Sequence, residues 1–543
     1  MLPLVLVLAR SYHPRMFENN PLSGTAPERH SSALLPVQPV QPVQPASALG
    51  RRGLEQLAMV SMQEHGLTPA FSPQALAELA TIEGPAQSAS PDMRDQRSAL
   101  WCSIDDSDSL DLDQLSVCEA TETGWSVRVA IADVDALVPK GSAIDLHAQL
   151  NTTSVYTAAR IFPMLPERLS TNLTSLCAGQ DRLAVVTEMQ VSSEGEVTSF
   201  DTYRAVVCNQ AKLAYDPLAA WLEGAGPLPS AAQAVQEMDA QLRLQDAAAQ
   251  VLRQRRTAQG ALEFETFQPR ADVQGETVVG IHQQAQNRAR QLIQEFMVAT
   301  NICTAQFLER KGGLAMRRVV RSPERWARVV QVAKKYGEAL PEAPDSKALE
   351  VFLERRRAAD PLRFPDLSLT IVQLMGAGEY VIEDATAGRP IDHSGTVAVE
   401  DYGHFGLAVR DYAHSTAPNR RYPDLVAHRL VKAVLAGQLA PYTAAELQTL
   451  AEHCNRQESA ARKVERSLRK SEAALYLQDK VGQAFDAIVT GKNSRGTWVR
   501  TLVPPVEGKL QGAEPQVDVG AKLRVQLLGT DVARGFIDFQ PIP

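Results

Sequence analysis

Residues 103–115 read SIDDSDSLDLDQL. Five aspartates, Asp105, Asp106, Asp108, Asp111 and Asp113, fall in this stretch with no lysine or arginine among them. Folding it into a compact site crowds like charges, which raises carboxylate pKa values and costs stability unless a cation compensates. Two readings stand at this point: a solvated acidic loop, which most charge runs are, and a divalent-metal site. A calcium-binding EF-hand is excluded. A loop starting at Asp106 needs an oxygen donor at its fifth position, Gly at its sixth and Glu at its twelfth, and the sequence places Leu110, Asp111 and Val117 there. Magnesium asks less of the protein: one or two carboxylates, with water and substrate phosphate completing its shell. Asp105, Asp111 and Asp113 are spaced to serve from one folded-back loop.

The chain around this stretch has 543 residues, enough for two to four domains at ~150 residues each. With 44 % apolar and 22 % charged residues it has ordinary globular composition and can build a sizeable core. A net charge of −8 and a pI near 5.8 do not announce a nucleic-acid partner, so any basic surface must be local. The six cysteines, Cys102, Cys118, Cys177, Cys208, Cys303 and Cys454, form no C-x-x-C pair and no zinc spacing, which points to a reduced cytoplasmic protein without structural zinc. The N-terminal run MLPLVLVLA lacks a preceding basic region and a cleavage site, unlike a signal peptide. No apolar stretch approaches the ~20 residues of a membrane span. A soluble monomer is expected.

Composition divides the chain. Residues 1–50 contain LLPVQPVQPVQPAS, a Pro/Gln/Val repeat that favours extended, unpacked chain. Residues 51–97 read as two short helices. Gly66 ends the first, and the second opens at Ser72–Pro73 with Leu76, Leu79 and Ala80 on one face. A DNA-binding helix-turn-helix and a small helical packing domain both fit this pattern; helix pairs more often only pack. From residue 98 strands and helices mix. GWSVRVAIADVDALV alternates like a strand, TEMQVSSEGEVTSFDTYRAVV makes two strands about a Gly-containing turn, and ARQLIQEFMVATNICTAQFLERKGG is an amphipathic helix stopped by Gly312 and Gly313. Helices are expected over 230–258, 424–437 and 443–480. From about 479, short strands with glycine turns suit an OB-type barrel.

The motifs SIDDSDSLDLDQL, VAIADVDALVPKGSAID, TTSVYTAARIFPMLPERLSTNLTSL, DRLAVVTEMQV, GALEFE, LIQEFMVATN, HFGLAV and APNRRYPDLVAHRLVKAV occur in that order over residues 98–480. In text, order and spacing the chain resembles the ribonuclease II family, whose catalytic module is the RNB domain. The resemblance implies an α+β fold: an RNB catalytic domain at 98–478, a mixed sheet wrapped by helices, with a C-terminal OB-fold β-barrel at 479–543 and a small helical N-terminal domain at 51–97. It implies a processive 3′–5′ exoribonuclease that hydrolyses single-stranded RNA to 5′-nucleoside monophosphates with Mg²⁺, one or two ions, Mn²⁺ substituting. The alternative is an RNA-binding protein that keeps the RNB scaffold with weak or no nuclease activity.

Residue by residue, the resemblance matches Asp105, Asp111 and Asp113 to three of four acidic metal positions, with Asp111 and Asp113 catalytic. Gln114 stands at the fourth, where the family carries aspartate. Its oxygen can coordinate a cation but brings no charge. Tyr156 matches an aromatic that stacks on a base, a contact worth ~1–3 kcal/mol that every base can make. Arg420 matches an arginine at the scissile phosphate, where a planar fork can offset developing charge. Arg421 is a second candidate RNA contact, although a helix-start pair with Asp424 suits it well. Glu465 matches a glutamate near the 3′ nucleotide, and an i,i+4 pair with Arg469 is its plain alternative. Trp498 is a candidate base platform or a filler of the barrel core. Residues 420–500 carry fourteen Lys/Arg against eight Asp/Glu, a local basic excess suited to a phosphate backbone. The usual cold-shock-type OB domains are not found before the RNB text, so the entrance for RNA is expected to be built differently.

Overall fold

The structure, a computed structural model, describes residues 50–87, 93–265, 269–283, 286–384, 389–391, 403–512 and 517–542. The expected unpacked leader therefore lies outside the described residues, apart from Gly50.

The alternating strand text becomes a seven-stranded mixed sheet. Its order is Arg94–Asp95, Val197–Cys208, Asp181–Ser192, Gly124–Ala132, Gln114–Thr121, Cys102–Asp105 and Ala211–Ala214. The four long strands pair antiparallel, and each edge adds a short parallel strand. Period-two alternation sends the apolar residues to two separate cores. On one face Leu115, Val117 and Ala130 pack with Tyr422, Leu425 and Val426 of helix Tyr422–Leu435. On the other, Ile104, Cys118, Val127 and Val129 pack with Leu242 of helix Met238–Ala258 and Phe296 of helix Arg288–Arg310. Covering both faces leaves only the strand ends for a site. The chain leaves Cys102–Asp105 and re-enters at Gln114 across one such end, so the acidic stretch lies there.

The long helix Ala444–Leu477 joins the parts. A capping box of Thr443 and Glu446 starts it, satisfying two otherwise orphaned donors. Its middle residues Ala461, Val464 and Leu468 pack against Ala58 and Met62 of helix Arg51–Glu64. Its last turns, through Ala474 and Leu477, enter the core of the C-terminal barrel. That barrel is closed, in the order Ala484–Asn493, Gly496–Thr501, Glu507–Leu510, Phe536–Ile542 and Lys522–Asp531, the one-two-three-five-four order of an OB fold. The barrel approaches the helix closely: a Cβ on Gly535, whose φ is +64°, would lie 2.6 Å from the Lys470 Cβ.

The N-terminal helices share their cores with the rest of the chain. Leu54 lies in the barrel cluster, Ala58 and Met62 against the long helix, and Ala75 in the sheet core. Each fully buried Leu or Met side chain contributes ~1.5–3 kcal/mol, so these helices are cemented onto the sheet, the long helix and the barrel. The Ser72 hydroxyl caps helix Pro73–Thr81 by accepting the Ala75 N–H at 3.1 Å. Its inward face is Ala75 and Leu79, while Leu76 and Ala80 point to solvent. The periodicity located the helix; the partner it packs against chose the face. All six cysteines are free thiols. Among the described residues no helix is long and apolar enough to cross a membrane.

Candidate active site

The segment Asp111–Leu112–Asp113 runs extended into strand Gln114–Thr121. Leu112 is buried in the sheet core, and Asp111 on its far side lies close enough to Asp113 to oppose that residue's ionisation. Ser175 pins the segment from both directions. Its hydroxyl donates to the Leu110 carbonyl at 2.7 Å and accepts the Leu112 N–H at 3.0 Å.

Asp113 is only 4 % exposed. Its Oδ1 accepts the Asn419 N–H at 3.0 Å, and its Oδ2 is buried with no hydrogen-bond partner. The Arg420 Nε lies 3.4 Å from that oxygen. Burial pushes the Asp113 carboxyl up to about 7; Arg420 pulls it down and Asp111 pushes it further up. Asp111 is also raised, first by burial and then by Asp105, against the pull of Arg420. Arg420 keeps a third of its side chain exposed, and its charge is favoured by Tyr156, Asp113, Asp111 and Asp105, which together outweigh its burial. The Tyr156 hydroxyl donates to Asp111 Oδ2 at 3.4 Å, and the residue is 39 % exposed.

The outer acids are arranged otherwise. Asp106 accepts from Arg290 Nη2 at 2.6 Å and from Arg270 Nη1 at 3.4 Å. Arg270 also reaches Asp108 at 3.3 Å. Arg290 further stacks over the Tyr215 ring, 4.3 Å from its centroid. Asp105 stands between the two groups, its Oδ1 accepting the Asp106 N–H at 2.7 Å and the Ser109 hydroxyl at 2.9 Å.

The structure thus brings Asp111, Asp113, Arg420 and Tyr156 together. Asp105 does not close with them into a ready three-carboxylate cage, and among the described residues no three His, Cys, Asp or Glu side chains cluster to hold an ion unaided. Like charges without a counter-ion do not converge further. The donors nonetheless fit a hard cation. A buried carboxylate oxygen on Asp113 that accepts no hydrogen bond and a second carboxylate on Asp111, also raised by burial, match the one or two carboxylates that Mg²⁺ takes from a protein. Gln114 donates its Nε2 to the Ile104 carbonyl at 3.1 Å, which leaves its side-chain oxygen as the group a cation could use.

Three further residues are placed differently from one another. Arg421 does not join the site. Its Nη2 donates to Asp424 Oδ1 at 2.6 Å, and both side chains are largely buried at the start of helix Tyr422–Leu435. This is the helix-start pair with Asp424 that its position in the sequence also suited. Glu465 accepts the Tyr156 N–H on Oε1 at 3.1 Å, while Arg469 lies 3.6 Å from its Oε2. Trp498 is half-buried on a barrel strand and is not among the barrel's core residues. Two contributors went unnoticed in the sequence. Asn419 lies inside the quoted APNRRYPD, yet its contribution is a backbone N–H, which has no sequence signature. Arg290 lies in the amphipathic helix; five unpartnered acids signal that an arginine must approach, but not which one.

Comparison with known proteins decides the family. The RNB domain matches residues 92–437. The chain belongs to the RNB family. The C-terminal S1 domain of RNase II-type exonucleases matches residues 483–542, covering the barrel. Ribonuclease R of Vibrio parahaemolyticus is 30 % identical over 430 residues, 76 % of this RNB chain and 49 % of that protein, so the chain spans about half the length of the curated relatives it matches. The apo form of Mycoplasma genitalium RNase R superposes with a TM-score of 0.77 at 20 % identity, over 90 % of this chain and 78 % of that one; that protein has also been solved with ribose-methylated single-stranded RNA and with double-stranded RNA. Yeast Ssd1, described as a pseudonuclease, has a TM-score of 0.65 at 16 % identity over 87 % of this chain and 56 % of its own. The RNB fold alone therefore does not decide turnover; the side chains at the strand ends must.

Proposed function

We propose that this RNB protein is a 3′–5′ exoribonuclease that hydrolyses single-stranded RNA processively to 5′-nucleoside monophosphates with Mg²⁺. The observation that carries the reading is Asp113. A carboxylate this buried, raised to about 7 with one oxygen accepting no hydrogen bond and only Arg420 near it, is costly to the fold and makes sense beside a cation. RNB-family exoribonucleases are metal-dependent as a class.

Asp111 and Asp113 would hold the ion, with Asp105 and Gln114 at its margin. When bound, the ion supplies an acidified water and stabilises the leaving 3′ oxygen. Arg420 meets the phosphate with its planar fork and neutralises charge that develops there. The Asn419 N–H holds one oxygen of Asp113 and leaves the other beside Arg420. Tyr156 offers an exposed aromatic face beside the acids, a grip on the terminal base that is indifferent to sequence. Half-buried Trp498 offers another on the barrel wall. Because recognition rests on stacking and phosphate contacts, the substrate is unpaired RNA of any sequence.

The test is a 3′-labelled single strand incubated with Mg²⁺, with and without chelator. Rapid release of labelled mononucleotide, stopped by chelator, supports the enzyme. Tight binding without release supports the second reading, an RNA-binding protein on an RNB scaffold, which the uncharged Gln114 at the fourth acidic position favours.

A further inference from the structure

Residues 153–162 carry Tyr156 on a two-stranded ribbon, Val155–Tyr156 against Ile161–Phe162. A ribbon this short does not hold its own position in water. Three alternate N–H groups, two along the strand side of the ribbon and one in its bend, find partners in succession. The Ser154 N–H donates to the Arg420 carbonyl at 3.0 Å. The Tyr156 N–H donates to Glu465 Oε1 at 3.1 Å, and the Ala158 N–H to Glu472 Oε1 at 2.8 Å. Glu465 and Glu472 are seven residues apart on helix Ala444–Leu477, about two turns, so they share one face. Glu472 is 2 % exposed, and the Ala158 N–H is the partner that explains it. An alanine or leucine would fill this helix position at lower cost than a buried carboxylate.

We propose that Glu472, together with Glu465, is a positioning residue that holds Tyr156 at its station beside Asp111 by anchoring the backbone of the ribbon. The rail that carries Tyr156 begins on the carbonyl of Arg420, so base grip and phosphate grip share one register. It ends at Ala159, which is buried among the barrel's core residues and whose carbonyl accepts from Arg51 Nε at 2.9 Å. The barrel, the N-terminal helix and the long helix thereby all set where the ring stands. This inference rests on the proposed RNA-binding role of Tyr156, and its deciding measurement, RNA affinity in chelator, needs no chemistry.

Affinity for a fluorescent single-stranded RNA is measured in chelator for the wild-type chain, E472A, E472Q, Y156A and the double variant E472A/Y156A. E472A is expected to weaken binding about tenfold, a large part of one stacked base, and to raise KM by the same factor with kcat within about threefold. E472Q, which keeps an oxygen acceptor, restores the wild-type values. In the Y156A background E472A adds nothing, since the ring it positions is gone. An undiminished affinity in E472A, an equal loss in the Y156A background, or a failure of E472Q to rescue overturns the proposal. If E472A does not fold, amide exchange in the wild-type chain decides: a protected Ala158 N–H supports the anchor, and unhindered exchange overturns it. Wild-type binding without mononucleotide release overturns the nuclease reading alone.

Discussion

The acidic stretch divides into two halves built on opposite principles. In the outer half, Asp106 and Asp108 meet Arg290 and Arg270, and the charges are neutralised within the protein. In the inner half, Asp111 and Asp113 lie side by side, raised by burial and by neighbouring carboxylates, with Arg420 offsetting only part of the cost. One half is solved as a folding problem. The other is only partly neutralised by the chain, and it is there that the proposed cation belongs. Local composition does not distinguish them. Their partners do.

The sharpest way to break this contrast is Asp113→Asn. It should abolish mononucleotide release, a loss of at least about a thousandfold for the several kcal/mol an ion contributes, while RNA affinity in chelator stays near wild type. Undiminished turnover would end the assignment of the inner half. Arg420→Ala is expected to cost about 10²–10³ in kcat with a smaller change in affinity. Arg421→Ala should act on stability instead, because its partner is the buried Asp424; single-turnover rates and melting curves for the two variants separate these roles. In the outer half, Arg290→Ala removes the shortest of the partners of Asp106 and should destabilise by about 2 kcal/mol, read by denaturant unfolding.

A pH titration of the metal-free chain sharpens the comparison further. Asp113 has a folded pKa of about 7 against an ordinary value of 3.8. Its contribution to stability is therefore fully present below about pH 4 and is lost as pH rises through about 7. Asp113→Asn should flatten that part of the stability profile and make the metal-free chain more stable at pH 8. An unchanged slope would show that the carboxyl is not strained. The smallest effect belongs to Asp108→Asn. That side chain is 72 % exposed, and its loss should change stability by less than about 0.5 kcal/mol and leave turnover unaltered.

Much of the architecture was legible before the fold. The strand pair about Gly195, the glycine-stopped helix Arg288–Arg310, the long helix and the terminal barrel all carry periodicity and turn chemistry that operate over a few residues. The helix Pro73–Thr81 shows where that legibility stops. Ser72 and Pro73 marked its start, yet its inward face is Ala75 and Leu79 because helix Ala143–Asn151 and the sheet core chose it. Arg420 and Arg421 make the same point within the site. Adjacent and chemically identical, they are separated only by where the backbone turns into helix Tyr422–Leu435, with one facing Asp113 and the other Asp424.

The order of residues by itself determined the family, the sequence of elements and the crowding of acids at one strand end, since each follows from patterns read along the chain. Tertiary structure alone decided which acids are neutralised, that one buried oxygen of Asp113 meets only Arg420, and that two glutamates of a distant helix hold the segment of Tyr156. The last two facts depend on contacts across some three hundred residues of chain, and electrostatic and hydrogen-bond energies respond to distance in space, which a sequence does not contain.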